Sequence, residues 1–595
     1  MLAATSGSAG AQVIKLLETS KTPRVPAFTP TKESSRKLGS DVAASKVGPE
    51  LGGTTIPESA TTITNVVTAA SPSLSVAVSV TVLVPAAGGV PLKVRVPALK
   101  ASQAGPVADN VSESRRPQSP ACSGTPGEPQ GRSGQFAPTR FLNLPGCANR
   151  FTLPPMSFVQ RLKIEAEDSL RYSDTVRSVL CEVELLKDKS PPASDPQAIA
   201  RSIVKLCSAA RLAASMDQLL KVEARIAERM KLLGNRPVDF TEFEPSSMKK
   251  RVIDYFVPLK PYVSEREKGV CYIAFEHRWA RFVHHYRDKL EAFAKRYLLI
   301  VHPVWATPHG LINYYLPSIW PGDDPVFACV SDPHDLDTLP RQSPRHVVIP
   351  RYCSHWVNPA VYPQVPFAQK DLDIVMLANF GKYKRHFALF KALRDMPRSV
   401  KVVCIGQHND KRTREVLLAE AAAYGVADRF ELKENAPDDV VFDCMARAKV
   451  NLIMSKREGS CIAIVEAMFA NTPSGMFKDA EVGSRVFINE HTGRFLTDDN
   501  LGAQLMDFIA NAGKYSPRKW MTENQHDCHG SSAMMNEVIK QEMLKRGQAW
   551  TTDLCPLHWR PDPQVLRPED RALMQATYED IRNNVGIEIE LPRKS

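Results

Sequence analysis

Residues 455–473 read SKREGSCIAIVEAMFANTP and hold two carboxylates, Glu458 and Glu466, with seven residues between them. Glu458 precedes Gly459-Ser460-Cys461, and Glu466 lies inside an apolar run. A carboxylate accepts two hydrogen bonds at once, which suits the vicinal hydroxyls of a ribose or sugar. The first N–H groups of a helix lack internal partners and carry partial positive charge, which suits a phosphate. The spacing therefore points to a phosphorylated sugar or nucleotide. Two plainer readings exist: a first-turn acidic residue plus a surface glutamate, or a hydrolytic pair. Hydrolytic carboxyls flank the scissile bond from two sides at about 5–10 Å, which two glutamates on one loop and its helix satisfy poorly.

These residues need elements to hold them. VNLIMS before Glu458 reads as a buried strand, and the run from Ser460 as a helix. Upstream, DLDIVMLANF, VKVVCIG, DRFELKE and KVNLIMS alternate with helical patterns. A similar block, KGVCYIAFEHRWARFVHHYRDKLEAFAKRYLLIVHPVW, DPVFACVSD and PRHVVIPRYC, precedes it, with a proline-rich link at 356–369 between the two. Alternating strands and helices predict parallel sheets covered on both faces. Two such blocks predict an α/β fold of two Rossmann-like domains facing a cleft, with ligands at the carboxyl ends of the strands.

The chain has 595 residues and a formal net charge of +11. Residues 1–155 contain 15 basic and 8 acidic residues, so they supply +7 of that charge and the remainder is near neutral. A nucleic-acid partner is therefore not expected. This segment has no Trp or Tyr and few large apolar residues, the composition of disorder. The character changes abruptly at Met156, which also fits a true start there, with 1–155 an artefact of the assigned beginning. Its N-terminus lacks the pattern of a signal peptide, and the apolar run 73–90 is short for the roughly 20 residues of a membrane span. Twelve cysteines are scattered singly, without zinc-type spacing, as in a reducing compartment.

Glu-x7-Glu in this strand–loop–helix setting resembles the signature of retaining glycosyltransferases of the GT-B fold, family 4 (group 1). EAMFANTPSGMF and VGSRVFINEHTGRFL continue the likeness, FGKYKRHFALFKALRDMP resembles the family's first-strand loop, and VIPRYCSHWVNP its interdomain turn. The resemblance implies transfer of a glycosyl group from a nucleoside diphosphate sugar to an acceptor hydroxyl with retention. It implies Glu458 on the transferred sugar, Glu466 on the ribose and Lys384 on the diphosphate. Gly459, Ser460 and Cys461 replace the family's Gly-Phe-Gly, and Asn379 stands where an arginine is usual, with Lys382 or Arg385 as substitutes. Donor contacts are thus expected at Glu466, Gly459, Ser460, Cys461, Asn379 and Arg385, and catalysis at Glu458 and Lys384. On the acceptor side it implies histidine, for which His277 and His309 are candidates.

The implied organisation is a disordered segment (1–155), a helical region (156–245), an acceptor domain (246–366), a nucleotide-sugar domain (367–545) and a C-terminal helical tail (546–595) packing back on the first domain. The implied partners are the donor and a glycan or lipid-linked acceptor, as in polysaccharide biosynthesis. Placement is cytoplasmic, with peripheral contact at the inner membrane face allowed. No obligatory metal is expected: the two Asp-Leu-Asp triplets, 335–337 and 371–373, read as solvated element ends. Plainer readings stand beside these: Lys384 as a loop lysine, the histidines and Cys461 as packing residues, and the chain as a non-catalytic module that binds a glycan or protein.

Overall fold

The protein is described here by a computed structural model. It covers residues 156–592 except 305, 306, 410, 411 and 561, together with three upstream strands. Those strands, β1 (Thr62–Ala70), β2 (Ser75–Val84) and β3 (Leu92–Arg95), form an antiparallel sheet. The apolar run at 73–90 contains β2, and the rest of the expectation for 1–155 lies outside the described residues.

Four helices follow: α1 (Met156–Tyr172), α2 (Asp174–Lys187), α3 (Pro196–Leu212) and α4 (Met216–Leu233). Ser173 separates the first two by accepting the N–H of Val176, and Asp195 caps the third at Gln197 and Ala198. This layer touches helices of both α/β units that follow, Asp335–Gln342 of the first and His386–Asp395 of the second. Glu223 pairs with Arg341 at 2.8 Å, and Glu165 with Lys391 at 2.9 Å.

The first α/β unit is a five-stranded sheet in the order β4 (Phe256–Lys260), β5 (Gly269–Ala274), β6 (Tyr297–His302), β7 (Val326–Cys329) and β8 (His346–Ile349). β5 to β8 are parallel and β4 is antiparallel. β4 contains Pro258, which donates no ladder hydrogen bond, and it accordingly lies at an edge. The strand order never reverses, so this unit has no crevice of its own between diverging connections.

The second unit is a six-stranded parallel sheet in the order β11 (Glu431–Glu434), β10 (Val402–Gly406), β9 (Leu372–Leu377), β12 (Ala448–Ile453), β14 (Ser474–Phe477) and β16 (Gly493–Leu496), and two short strands, β13 (Arg457–Glu458) and β15 (Glu481–Val482), pair separately in parallel. Ile374 pairs in register with both Val402 and Val450. In β12 every residue but Lys449 is buried, as a sheet covered on both faces requires. The two-unit α/β architecture expected from the alternation of strand and helix patterns is present.

Beyond Lys545 the chain is not purely helical. A hairpin of β17 (Leu557–Trp559) and β18 (Pro563–Val565) precedes a helix, Pro568–Asp580. Tyr578 donates to the carbonyl of Phe256 at 3.2 Å, and Asp580 pairs with Arg296 and accepts from Tyr297. The tail therefore lies on the first sheet through a carboxylate and a phenol, not only through apolar contact.

Candidate functional site

The strand order of the second sheet reverses between β9 and β12, where neighbouring connections leave in opposite directions and open a crevice. The loop after β9 carries Asn379, Lys382, Lys384 and Arg385, and the loop after β12 carries Glu458. Lys384 and Glu458 meet there as an ion pair, with side chains 13% and 10% exposed. Glu458 spends Oε2 on the lysine, while its buried Oε1 has no partner among the described residues. Burial pushes the Lys384 ammonium down, but the Glu458 carboxylate outweighs it and holds the lysine above its ordinary value. The Tyr383 ring lies 5.2 Å from Lys384 Nζ.

Glu466 sits in the first turn of a seven-residue helix, Ala463–Phe469, which begins three residues later than the sequence suggests. It is 2% exposed. Its Oε1 accepts from the Tyr362 hydroxyl at 2.9 Å and pairs with Arg560 Nη2 at 3.1 Å. Arg560 also reaches Asp438 at 3.2 Å and lies over the Phe442 ring at 5.1 Å. The carboxylate in the apolar helix is thus neutralised by the C-terminal hairpin. Trp559, next to Arg560, packs on Phe275 and His302 at the ends of β5 and β6 (5.7 and 6.2 Å).

The residues between the glutamates hold the two units together. Ser460 is fully buried and its hydroxyl meets the Ser354 N–H at 3.1 Å and the Ser354 hydroxyl at 2.7 Å. The Gly459 carbonyl accepts from Gly483 N–H at 2.8 Å. A Cβ on Gly483 would come within 1.9 Å of the Ser331 carbonyl oxygen, so only glycine allows this approach. Cys461 is buried with a left-handed φ of 49°.

The basic residues of the β9 loop are mostly taken. Asn379 folds its own loop, accepting from Gly381 N–H at 3.0 Å and donating to Tyr383 at 2.8 Å. Lys382 pairs with Glu167 of α1 at 2.9 Å. Arg385, 3% exposed with φ 52°, pairs with Asp168 of α1 at 3.0 Å and Asp498 at 3.2 Å, and donates to the Met454 carbonyl at 3.3 Å. Neither substitute for the usual arginine is therefore without a carboxylate partner. Lys384 is the loop cation that meets Glu458.

His277 lies against the Phe275 ring at 5.7 Å, and burial, then Arg278 and Arg281, bring it down to about 3. His309 bonds the Tyr314 hydroxyl at 3.1 Å, and burial lowers it to about 3. Both are neutral imidazoles in contacts internal to the first unit. Of the Asp-Leu-Asp carboxylates, Asp335 accepts the N–H groups of Ser331 and Asp332, Asp371 pairs with Arg447 and Asp373 with Lys449. Among the described residues, no group of three or more His, Cys, Asp or Glu has the arrangement of a metal site.

Residues 360–524 match the family model of the glycosyl transferases group 1. The match spans the second sheet with its link and contains Lys384, Glu458 and Glu466. The chain is distantly similar to sucrose-phosphate synthase from Thermosynechococcus elongatus, at 13% identity and a TM-score of 0.38, over 56% of this chain and 80% of that one. It is similar to Anabaena Alr3699/HepE in complex with UDP at 13% identity and a TM-score of 0.38, over 54% and 89%. S. aureus TarM follows at 13% identity and a TM-score of 0.34, over 47% and 61%. No curated protein matches. The glycosyl transferases group 1 match stops short of Arg560, and it begins after Asp168 and Tyr172. Sequence reading missed Arg560, Tyr362 and Asp168, because no local pattern marks a partner 94 to 217 residues away.

Proposed function

We propose that this chain transfers a glycosyl group from a nucleoside diphosphate sugar to an acceptor hydroxyl with retention of configuration. The observation that carries this reading is the Lys384–Glu458 pair at the reversal of strand order, within the group 1 match. The donor lies across the carboxyl ends of β9 and β12. Lys384 offsets the charge that develops on the leaving diphosphate. Glu458, with one oxygen uncommitted, orients the transferred sugar. Glu466 holds the ribose. Retention rests on the Glu-x7-Glu resemblance. The acceptor is a glycan or lipid-linked hydroxyl, as polysaccharide biosynthesis would use, and the site faces the cytoplasm. Among the described residues no helix is long and apolar enough to cross a membrane.

The test is incubation with UDP-, GDP-, ADP- and dTDP-sugars, with nucleotide release measured and the anomeric configuration of the product read by NMR. Absence of both turnover and nucleotide binding across the panel would overturn the reading. A second reading, a non-catalytic module that binds a glycan or protein, is favoured by Asn379 folding its own loop and by Arg560 on Glu466. Slow hydrolysis of a donor without acceptor separates the two.

A further inference from the structure

Six arginines of the described residues are buried to 8% exposure or less: Arg177, Arg229, Arg278, Arg281, Arg351 and Arg385. Five have a carboxylate partner, namely Asp174, Asp188, Asp254 (shared by two) and Asp168. Arg351 pairs with no carboxylate among the described residues. Its Nη1 donates to the carbonyl of its own neighbour Pro350 at 3.0 Å, and its buried Nε has no acceptor.

The surroundings supply no counter-charge. Burial pushes the guanidinium down to about 10, and the groups that act against it are the Cys329 thiol and the Tyr352 phenol. Its charge reaches His355 and His526, whose rings are 5.3 Å apart and which burial, then Arg351, keeps neutral. His526 Nδ1 is also buried without a partner. A guanidinium withdrawn from water is normally paired, because the desolvation cost is otherwise uncompensated.

Its place is informative. Arg351 follows β8, and its carbonyl accepts from Val330 N–H at the end of β7 at 3.2 Å. Both are carboxyl ends of parallel strands of the five-stranded sheet, on the side from which the Ser354 segment reaches the second unit. Three residues on, Ser354 bonds Ser460, two residues past Glu458. The site thus adjoins the loop that carries Glu458, but from the other unit.

We propose that Arg351 anchors an anionic group, a phosphate or a carboxylate, on the acceptor. The assignment rests on the glycosyl-transfer reading, but binding of the anion tests it without turnover. The guanidinium fork suits either group in bidentate fashion.

The experiment is calorimetry and thermal shift on the full chain with inorganic phosphate, glucose 6-phosphate, glucuronate and glucose, at matched chloride. UDP, GDP, ADP and dTDP are titrated separately. Glucose 6-phosphate or glucuronate raises the melting temperature saturably and glucose does not. If the phosphosugar acts, phosphate is the group; if only glucuronate acts, it is the carboxylate; and response to inorganic phosphate alone marks an ion site and overturns the acceptor assignment. Arg351→Met weakens the anionic sugar at least about tenfold, and Arg351→Lys less. Removal of an unpaired buried charge leaves the ligand-free melting temperature of Arg351→Met unchanged or higher. A wild type indifferent to every anion, or an Arg351→Met variant that binds as wild type, overturns the proposal. If that occurs while a nucleoside diphosphate binds, the glycosyl-transfer reading stands. If anions bind through Arg351 and no nucleotide does, the anion site stands and that reading falls.

Discussion

Arg560 Nη2 lies 3.1 Å from Glu466 Oε1, and Tyr362 donates its hydroxyl to the same oxygen. The carboxylate proposed to hold a ribose is thus already engaged by a residue of the C-terminal hairpin. A ribose hydroxyl on that oxygen competes with the guanidinium. Arg560→Ala is expected to bind the cognate nucleoside diphosphate about 1–2 kcal/mol more tightly while the protein loses roughly 3 kcal/mol of stability, since one partner of a buried pair is gone. Glu466→Gln weakens the nucleotide by roughly 1–3 kcal/mol. Calorimetry on both variants decides this. Unchanged or weaker nucleotide binding in Arg560→Ala would show that the two do not compete.

Glu458 is expected to act on the sugar and not on the nucleotide. Glu458→Gln should leave nucleoside diphosphate affinity near wild type while slowing transfer by about 100-fold or more. Lys384→Met should lower both, because the lysine meets the diphosphate in ground and transition states. Titration and turnover on the same preparations measure the split. Equal weakening of nucleotide by both substitutions would undo the division of roles.

Helix α1 is expected to be part of the donor loop's support. Asp168 pairs with Arg385, which in turn holds the Met454 carbonyl at the end of β12. Asp168→Ala leaves a buried guanidinium with the half-exposed Asp498, at a cost of roughly 3 kcal/mol. A chain starting at Met156 should melt and bind donor as the full chain does, and one starting at Asp174 should resemble Asp168→Ala. Indifference to removal of 156–173, followed by thermal melting and donor titration, would sink this account.

Acid should destabilise the fold early. Burial lowers His302, His309 and His386 to about 3 and His346 to about 4. Their folded values lie below the unfolded value near 6.5, so the unfolded chain binds protons first as pH falls. The stability is fully present above about pH 6.5 and is lost below it, each histidine contributing up to about 1.4 kcal/mol per pH unit. Denaturant titrations at pH 7, 6 and 5 read the slope, and a flat stability across them would contradict it.

The strands and helices of the second unit were legible because parallel strands buried on both faces are near-continuous apolar runs, and because Glu458, Gly459 and Glu466 mark one loop and the helix after it. β12 and its loop could be placed from that pattern alone, and so could Lys384 beside the end of β9. The antiparallel β4 escaped because Pro258 breaks a short run. What only the tertiary structure decided is which charges meet. Arg385 goes to Asp168, Lys382 to Glu167, Asn379 to its own turn and Arg560 to Glu466. Local periodicity reports which face of an element is buried, because that depends on neighbours three or four residues away. Ion pairing between residues 94 to 217 positions apart depends on how packed elements bring side chains together, and burial then makes each pairing, or its lack at Arg351, costly to change.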